Sequence, residues 1–290
     1  MDKISQIRFV FFGTGDFAVG ILDVLEQAGL LPNLIITTPD APKGRGLKMT
    51  PSPVKEWAGK KDTPTISPRK LDSTLNNRLR AADSAIFIVA DYGKIIPKPI
   101  LEIPPRGALN VHPSLLPKYR GPSPIEAQIL AGEKEIGVSI MLLDEEMDHG
   151  PIIGSEKLKA PNEKLEDAPR AAELENALAD MGGRLLASII PKWLAGEIKP
   201  AEQEHKRATY TKKLEKTDFL IDLNDKPEKN FLKIRAAGRA FEPFFFTEGR
   251  GKKIRVLIKE ATLKDGELKI LRVVPEGKKE MNYNDFLRGL

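Results

Sequence analysis

The pattern of hydrophobic and polar positions divides the first two thirds of the chain into alternating strand-like and helix-like segments. Short runs rich in β-branched and aromatic residues predict strands at residues 7–12, 34–38, 85–89, 108–112 and 137–142. Between them, apolar residues at helical spacing predict helices, including residues 17–28 and 71–80. Strands that alternate with helices favour a parallel α/β sheet with right-handed crossovers.

The pattern changes after a long helical segment at residues 171–196, which Pro191 is expected to kink or divide. Residues 206–290 show short β-like runs at 244–247, 254–258 and 268–274, separated by turns that contain glycine. We therefore predict two domains, residues 1–205 and residues 206–290. A five-stranded barrel of the oligonucleotide-binding type is one option for the second, although that stretch offers few clear strands for it.

Composition narrows the class of protein. With 290 residues, 41% of them hydrophobic and 30% charged, the chain is typical of a globular protein of two domains. The absence of cysteine excludes disulfides, thiolate metal sites and a cysteine nucleophile. The first eight residues lack the apolar stretch of a signal peptide, and no apolar run reaches membrane-spanning length. These features predict a cytoplasmic protein without a membrane partner.

The charge is distributed unevenly along the chain. Residues 206–290 carry 21 Lys and Arg against 13 Asp and Glu, a net charge of +8, which leaves −3 for residues 1–205. A basic module attached to a near-neutral one indicates nucleic-acid binding. A domain that is merely soluble and basic remains the alternative at this point.

A glycine-containing turn follows the first predicted strand, at residues 13–18 (GTGDFA). It matches a loose dinucleotide-binding pattern, but a tight strand-to-helix turn needs the same small residues. The acidic residue that such a pattern requires would be Asp40, which begins a loop rich in Pro, Gly and Lys. We therefore predict no nicotinamide cofactor.

The chemistry-bearing residues lie at the end of the fourth predicted strand. Asn110 and His112 are two residues apart and share one face of that strand, at the edge where α/β sheets place their sites. An imidazole can move a proton while a neighbouring amide stabilises an oxyanion, and both tasks belong to acyl transfer. Of the carboxylates after the next strand, Asp148 is our choice to orient the histidine. The alternative is a structural histidine that caps a strand end. With three histidines in the chain, metal catalysis is not expected.

Residues 110–121 (NVHPSLLPKYRG) resemble the signature of the formyltransferase family that uses 10-formyltetrahydrofolate. Further segments are similar to the branch of that family that acts on methionyl-tRNA: residues 12–18, 39–46, 51–55, 90–97, 209–214, 234–236, 239–243 and 277–281. The resemblance covers nearly the whole chain. It implies a Rossmann-like parallel-sheet formyltransferase domain followed by a small, trimmed, OB-like β-barrel domain.

The resemblance also implies roles for individual residues. Asn110, His112 and Asp148 would be the catalytic trio. The folate site would be lined by Ser114, Leu115, Leu116 and Pro117, with Ile96 and Asp144 near the pterin. A loop at residues 39–55 would contact the tRNA acceptor arm through Lys43, Arg45 and Lys48.

The function implied is transfer of a formyl group from 10-formyltetrahydrofolate, as co-substrate, to the α-amino group of initiator methionyl-tRNA. No metal is implied, and we expect a monomer. Formylation of an amino sugar or of glycinamide ribonucleotide shares the same trio and is one alternative, and a noncatalytic RNA-binding protein is another.

Three departures from the family pattern accompany this resemblance. Gly15 stands where a proline is usual, and Glu146 stands where glycine is common, which allows a different path for the loop that carries Asp144. Few residues separate the strands after residue 258, so the second domain is expected to be shorter than a full barrel.

Overall fold

The computed structural model describes residues 7–44, 46–158, 164–238, 241–249 and 251–290. The chain forms two compact units. The first comprises Met1–Pro122, Gly137–Leu158 and Glu175–Tyr210, and the second comprises Ser123–Ile136, Lys159–Leu174 and Thr211–Leu290. The chain thus enters the second unit for the last time after Tyr210, and two earlier segments also belong to that unit. The predicted domain boundary between residues 205 and 206 stays a prediction.

Strands and helices alternate through the first unit, as the hydrophobic pattern predicts. The strands of the chain are β1 Phe9–Gly13, β2 Leu34–Ile36, β3 Ala41–Lys43, β4 Lys48–Thr50, β5 Thr65–Ile66, β6 Ile86–Ala90, β7 Ala108–His112, β8 Gly137–Leu142, β9 Ile152–Lys157, β10 Phe244–Gly249, β11 Lys252–Lys264, β12 Glu267–Pro275 and β13 Met281–Asn282. The helices are α1 Asp16–Gln27, α2 Pro53–Lys60, α3 Ser73–Ala81, α4 Lys98–Leu101, α5 Pro124–Leu130, α6 Ala171–Leu194, α7 Pro227–Ala236 and α8 Tyr283–Arg288.

The central sheet of the first unit has the order β5-β2-β1-β6-β7-β8-β9. Its strands from β5 to β7 are parallel, which confirms the predicted α/β class. The sheet is mostly parallel and departs from that direction at one edge, where β8 runs antiparallel to β7 and β9 antiparallel to β8. An apolar run has the same side-chain period in both directions, so the sequence pattern carries no information about strand direction.

The core of the first unit explains why its strands are continuous apolar runs. All five residues of β1 and all five of β6 are buried, as expected for parallel strands covered on both faces. Helix α1 buries one apolar stripe, and small residues let α6 approach it: a methyl group on Gly20 would lie 2.8 Å from Ala179 Cβ. Helix α6 continues through Pro191 and is not divided there. A kink, the other outcome expected of this proline, stays a prediction.

The second unit contains a four-stranded antiparallel sheet in the order β10-β11-β12-β13. The three predicted strands are all present and are longer than their apolar runs. A two-residue turn joins β11 to β12, and both its residues have positive φ, 52° at Asp265 and 77° at Gly266, as a tight hairpin requires. The strands β10 and β13 lie at the ends of this order, and β10 also forms a parallel bridge from Phe244 to Leu220, which lies outside the named strands. With four named strands, the sheet has one strand fewer than a five-stranded barrel.

Candidate active site

Strand β7 presents the two predicted catalytic side chains on one face. Asn110 lies opposite Met141 and His112 opposite Ser139 in the antiparallel pairing with β8. Because side chains two apart on a strand point the same way, the amide and the imidazole lie on the same side of the sheet. His112 is only 4% exposed, so its ring is held by the protein and hardly contacts water.

The loop between β8 and β9 brings Asp148 to these residues. Its Oδ1 lies 3.6 Å from His112 Nδ1 and 3.5 Å from Asn110 Nδ2, and its Oδ2 accepts a hydrogen bond of 2.7 Å from the Gly121 N–H. Asp148 has a φ of 49°, the left-handed region that non-glycine residues rarely adopt. The structure therefore brings the predicted trio together, and it does so with a strained backbone at the carboxylate.

The contacts of His112 assign the hydrogens on its ring. Its Nε2 lies 3.0 Å from the carbonyl oxygen of Tyr119, and a carbonyl can only accept a hydrogen bond. Nε2 therefore carries a hydrogen, and in the neutral ring the lone pair is on Nδ1, the atom that faces Asp148. Nδ1 is thus the atom at which this histidine gains and loses a proton.

Residues 114–117, predicted to line the folate site, are hydrogen-bonded to the side chain of Ser139 on β8. The Ser139 hydroxyl donates to the Ser114 carbonyl at 2.8 Å and accepts the Leu116 N–H at 3.0 Å. The hydroxyl of Ser114 is fully buried and donates to the Lys118 carbonyl at 2.7 Å. Ser114 therefore shapes the turn through its side chain, and the lining role of residues 114–117 stays a prediction.

The two residues predicted near the pterin lie in different surroundings. Ile96 is buried in the apolar cluster that includes Phe12 and Tyr92. Asp144 is partly exposed; its Oδ1 accepts the Glu146 N–H at 2.9 Å and its Oδ2 lies 2.8 Å from His149 Nδ1. Glu146 does not have positive φ, so this position needs no glycine and the loop accommodates the departure from the family pattern.

The loop predicted to contact RNA contains a short exposed hairpin. Lys43 on β3 is directly opposite Lys48 on β4, so the two lysine side chains extend from neighbouring positions of the hairpin. Arg45, the third predicted residue, lies outside the described residues. Lys55, just beyond the hairpin, forms an ion pair with Asp40 at 2.6 Å.

The turn at the end of β1 has the packing expected of a tight strand-to-helix turn, the second interpretation of residues 13–18. A methyl group on Gly13 would lie 2.6 Å from Phe11 Cε1, 2.8 Å from Ala18 Cβ and 3.0 Å from the Ala90 carbonyl oxygen, so glycine is required there by packing. At Gly15 an added methyl would lie 2.0 Å from Asp91 Oδ2, so the glycine that replaces the family's proline makes room for this carboxylate.

Two further polar residues support the site and were not singled out from the sequence. Arg120 is 1% exposed and Gln203 is 5% exposed. The Arg120 guanidinium donates to Gln203 Oε1, and Gln203 Nε2 donates to the carbonyl oxygen of Asp148. Arg120 lies within residues 110–121, but nothing in the local sequence pattern predicts that its side chain is buried. Gln203 follows a stretch without periodic pattern, so only the fold identifies it.

The described part of the chain contains no helix that is long and apolar enough to cross a membrane. It also contains no group of three or more His, Cys, Asp or Glu side chains placed to hold a metal ion. The expectation that no metal takes part stays a prediction.

Comparison with known proteins places this geometry in a family. Residues 6–190 match the family model described as formyl transferase. The methionyl-tRNA formyltransferase of Chloroflexus aurantiacus is 40% identical over 263 residues, which span 90% of this chain and 82% of the relative.

Solved structures share the fold. Methionyl-tRNA formyltransferase from Clostridium thermocellum superposes with a TM-score of 0.61 at 17% identity, over 96% of this chain and 100% of that one. HypX from Aquifex aeolicus in complex with tetrahydrofolic acid gives a TM-score of 0.66 at 15% identity, over 97% of this chain and 47% of that one. The chain therefore belongs to the formyl transferase family, in its methionyl-tRNA formyltransferase branch.

Proposed function

We propose that this protein transfers the formyl group of 10-formyltetrahydrofolate to the α-amino group of initiator methionyl-tRNA. The observation that carries the proposal is the convergence of Asn110, His112 and Asp148 at the end of β7, in a chain whose similarity to methionyl-tRNA formyltransferases extends over 90% of its length. An amide donor, an imidazole and a carboxylate suit the attack of an amine on a formyl carbon, because that reaction needs both an oxyanion donor and a proton carrier.

In the proposed mechanism, the neutral amine attacks the formyl carbon and a tetrahedral oxyanion forms. Asn110 Nδ2–H and the protonated Nδ1–H of His112 donate to that oxygen. The N10 nitrogen then leaves as the carbon–nitrogen bond breaks, the amine loses one proton, and N10 gains one. His112 and Asp148, with water, carry this proton, so the products are the formylated amine and tetrahydrofolate.

The carboxylate of Asp148 makes the buried imidazolium possible. A charged ring that is 4% exposed loses most of its hydration, and an opposite charge 3.6 Å from Nδ1 offsets that loss. The carbonyl of Tyr119 contributes further, because it accepts from Nε2 in both charge states of the ring. Asp148 therefore acts by stabilising the protonated form that the oxyanion needs.

On the donor side, residues 114–117 and Asp144 are proposed to bind the folate. Leu115, Leu116 and Pro117 offer apolar surface for a flat heterocycle, and the carboxylate of Asp144 is an acceptor for its N–H groups. The Ser139 hydroxyl, which donates to the Ser114 carbonyl and accepts the Leu116 N–H, keeps this segment in one conformation before the folate binds. The tetrahydrofolic acid bound to HypX from Aquifex aeolicus, whose fold is shared, supports a folate donor.

On the acceptor side, the hairpin with Lys43 and Lys48 is proposed to contact phosphates of the acceptor arm, and the basic second unit to contact the rest of the tRNA. In that unit Lys253 Nζ lies 4.3 Å from the ring centroid of Phe246, which is 43% exposed. An exposed aromatic ring beside a cation suits stacking on a nucleic-acid base.

One assay tests the reaction. The protein is incubated with labelled 10-formyltetrahydrofolate and, separately, initiator methionyl-tRNA, elongator methionyl-tRNA, an amino sugar nucleotide or glycinamide ribonucleotide. We expect label on the initiator methionyl-tRNA. Label only on the sugar nucleotide or the ribonucleotide would refute the proposal, and no label on any acceptor would favour a noncatalytic RNA-binding protein.

Variants at β7 test the assigned roles. Asn110→Ala and His112→Ala should each lower kcat by about 100-fold or more while the protein stays folded, since each removes a donor to the oxyanion. Near-normal turnover in His112→Ala would contradict the assignment.

The hairpin has its own test. The double variant Lys43→Ala, Lys48→Ala should raise the KM for tRNA and lower the slope of log KM against log salt by about 0.7 to 0.9 for each lost phosphate contact. The KM for folate should not change. Lys60→Ala, which removes an exposed lysine at the end of α2, is the matched control. An equal effect of this control on tRNA use would contradict the role of the hairpin.

A further inference from the structure

Arg120 is a buried cation without a buried anion. Its side chain is among the largest fully buried ones, at 1% exposure, and within the described residues no carboxylate forms an ion pair with it. Its Nε and Nη2 donate to Gln203 Oε1 at 3.2 and 2.7 Å, Nη2 also lies 3.0 Å from His205 Nδ1, and Nη1 lies 3.4 Å from the Tyr210 hydroxyl. Burying a charge among neutral partners is unfavourable for stability, so this arrangement calls for a functional explanation.

The amide of Gln203 connects this cation to the catalytic loop. Its Nε2 donates to the Asp148 carbonyl at 2.9 Å and to the Gly150 carbonyl at 2.7 Å. The amide has one acceptor end and one donor end, and the guanidinium of Arg120 can only donate. Arg120 therefore determines which way the amide points, because the opposite orientation would set N–H against N–H at Arg120 and oxygen against two carbonyl oxygens at the loop.

The loop needs such a constraint. Asp148 has a φ of 49°, an unfavourable conformation that persists only where the surroundings hold it. The two bonds from Gln203 fix the carbonyls of Asp148 and Gly150, and the Gly121 N–H fixes the carboxylate of Asp148. Gly121 follows Arg120 directly, so one short segment holds both the loop backbone and the carboxylate.

We propose that Arg120 and Gln203 are positioning residues for formyl transfer: Arg120 orients the Gln203 amide, and the amide holds the Asp148 loop so that the carboxylate faces His112 Nδ1. Neither residue touches the reacting atoms. The inference rests on the roles proposed above for His112 and Asp148, which the turnover of the parent enzyme and of the Asp148 variants tests separately.

The test is Gln203→Glu in the full-length enzyme. The carboxylate keeps an acceptor for Arg120, but it replaces the N–H donor with an oxygen that repels the two loop carbonyls. We expect kcat to fall by about 100-fold, as for a displacement of about 1 Å at a catalytic group, while the KM for methionyl-tRNA changes by less than about threefold. In the Asp148→Asn background the same change should lower kcat by less than about threefold, because its effect passes through the Asp148 carboxylate.

The matched control is Asn33→Asp, the same amide-to-carboxylate change at the residue that precedes β2. The Asn33 Nδ2 donates to the Ala82 carbonyl at 3.0 Å and its Oδ1 accepts from Ser84. This variant should lose stability and keep its kcat. A kcat for Gln203→Glu within threefold of the parent, or an equally large loss in the Asp148→Asn background, would overturn the proposal.

A second pair of variants decides the matter if Gln203→Glu does not fold. Arg120→Lys keeps one donor for the Gln203 oxygen, whereas Arg120→Met keeps none. We expect Arg120→Lys to retain at least about tenfold more turnover than Arg120→Met at equal folded fraction, since the lysine still orients the amide. Equal turnover of the two folded variants would overturn the proposal.

Discussion

The substitution Asp148→Asn separates the charge of this side chain from its shape. In the native site Oδ2 accepts the Gly121 N–H, while Oδ1 faces His112 Nδ1 at 3.6 Å. The asparagine must keep its oxygen toward Gly121, because that backbone group only donates. Its NH₂ then faces His112 Nδ1 and donates to the lone pair there. The substitution thus removes the charge that stabilises the imidazolium and also favours the neutral ring.

The magnitude follows from the same distance. Two unit charges 3.6 Å apart interact by about 4.6 kcal/mol at an effective dielectric constant of about 20. Since about 1.4 kcal/mol corresponds to a factor of ten in rate, loss of this interaction predicts a kcat lower by about 10³-fold. The free energy of unfolding should change by less than about 1 kcal/mol, because the bond to the Gly121 N–H is kept.

Single-turnover formylation with saturating donor measures this effect, and urea unfolding measures the stability. Asp148→Ala is the matched comparison, since it also removes the acceptor of the Gly121 N–H and should lose about 1 to 3 kcal/mol of stability. A folded Asp148→Asn enzyme with kcat within tenfold of the parent would refute the charge argument and leave Asp148 with a purely structural role.

Three further predictions concern the scaffold. Gly13→Ala should lower the free energy of unfolding by about 1 to 3 kcal/mol, because the new methyl meets the Ala90 carbonyl at 3.0 Å, whereas Gly59→Ala, in open space, should raise it by up to about 1 kcal/mol. Equal urea midpoints for the two would contradict this. Burial raises the pKa of Tyr92 to about 12 from its usual value near 10, so the folded state keeps the phenol proton longer than the unfolded chain does. Stability should therefore fall by up to about 2.7 kcal/mol from pH 10 to pH 12, and Tyr92→Phe should abolish that part of the slope in urea titrations, an unchanged slope being the contrary result. Ser139→Ala should raise the KM for folate several-fold with a loss of about 1 to 3 kcal/mol, since it leaves a buried N–H of the folate-side segment without its acceptor, and an unchanged KM would show that the segment does not bind folate.

Much of the fold could be predicted from the sequence because buried segments appear there as apolar runs or as apolar residues at a regular spacing. The five residues of β7 and the six of β8 coincide with their predicted segments, since each is a short and mostly apolar run. Helix α1 was predicted to within one residue at each end for the same reason. In the second unit β11 and β12 are longer than their predicted apolar runs. In β11 the added residues 259–264 alternate between exposed side chains and the buried Ala261 and Leu263, so the run ends where charged residues interrupt it although the strand continues.

The sequence by itself determined the α/β class, the position of Asn110 and His112 on one strand face, and the family, because these depend on local pattern and on a specific run of twelve residues. Only the tertiary structure decided the direction of β8, the nitrogen of His112 that carries the mobile proton, and the support of Asp148 by Arg120 and Gln203. Each of these depends on contacts that no periodic pattern marks, over 7 residues between His112 and Tyr119 and over 83 between Arg120 and Gln203. Hydrogen bonds between such groups form only when folding brings donor and acceptor within about 3 Å, and single residues without periodicity leave no sign of that in the sequence.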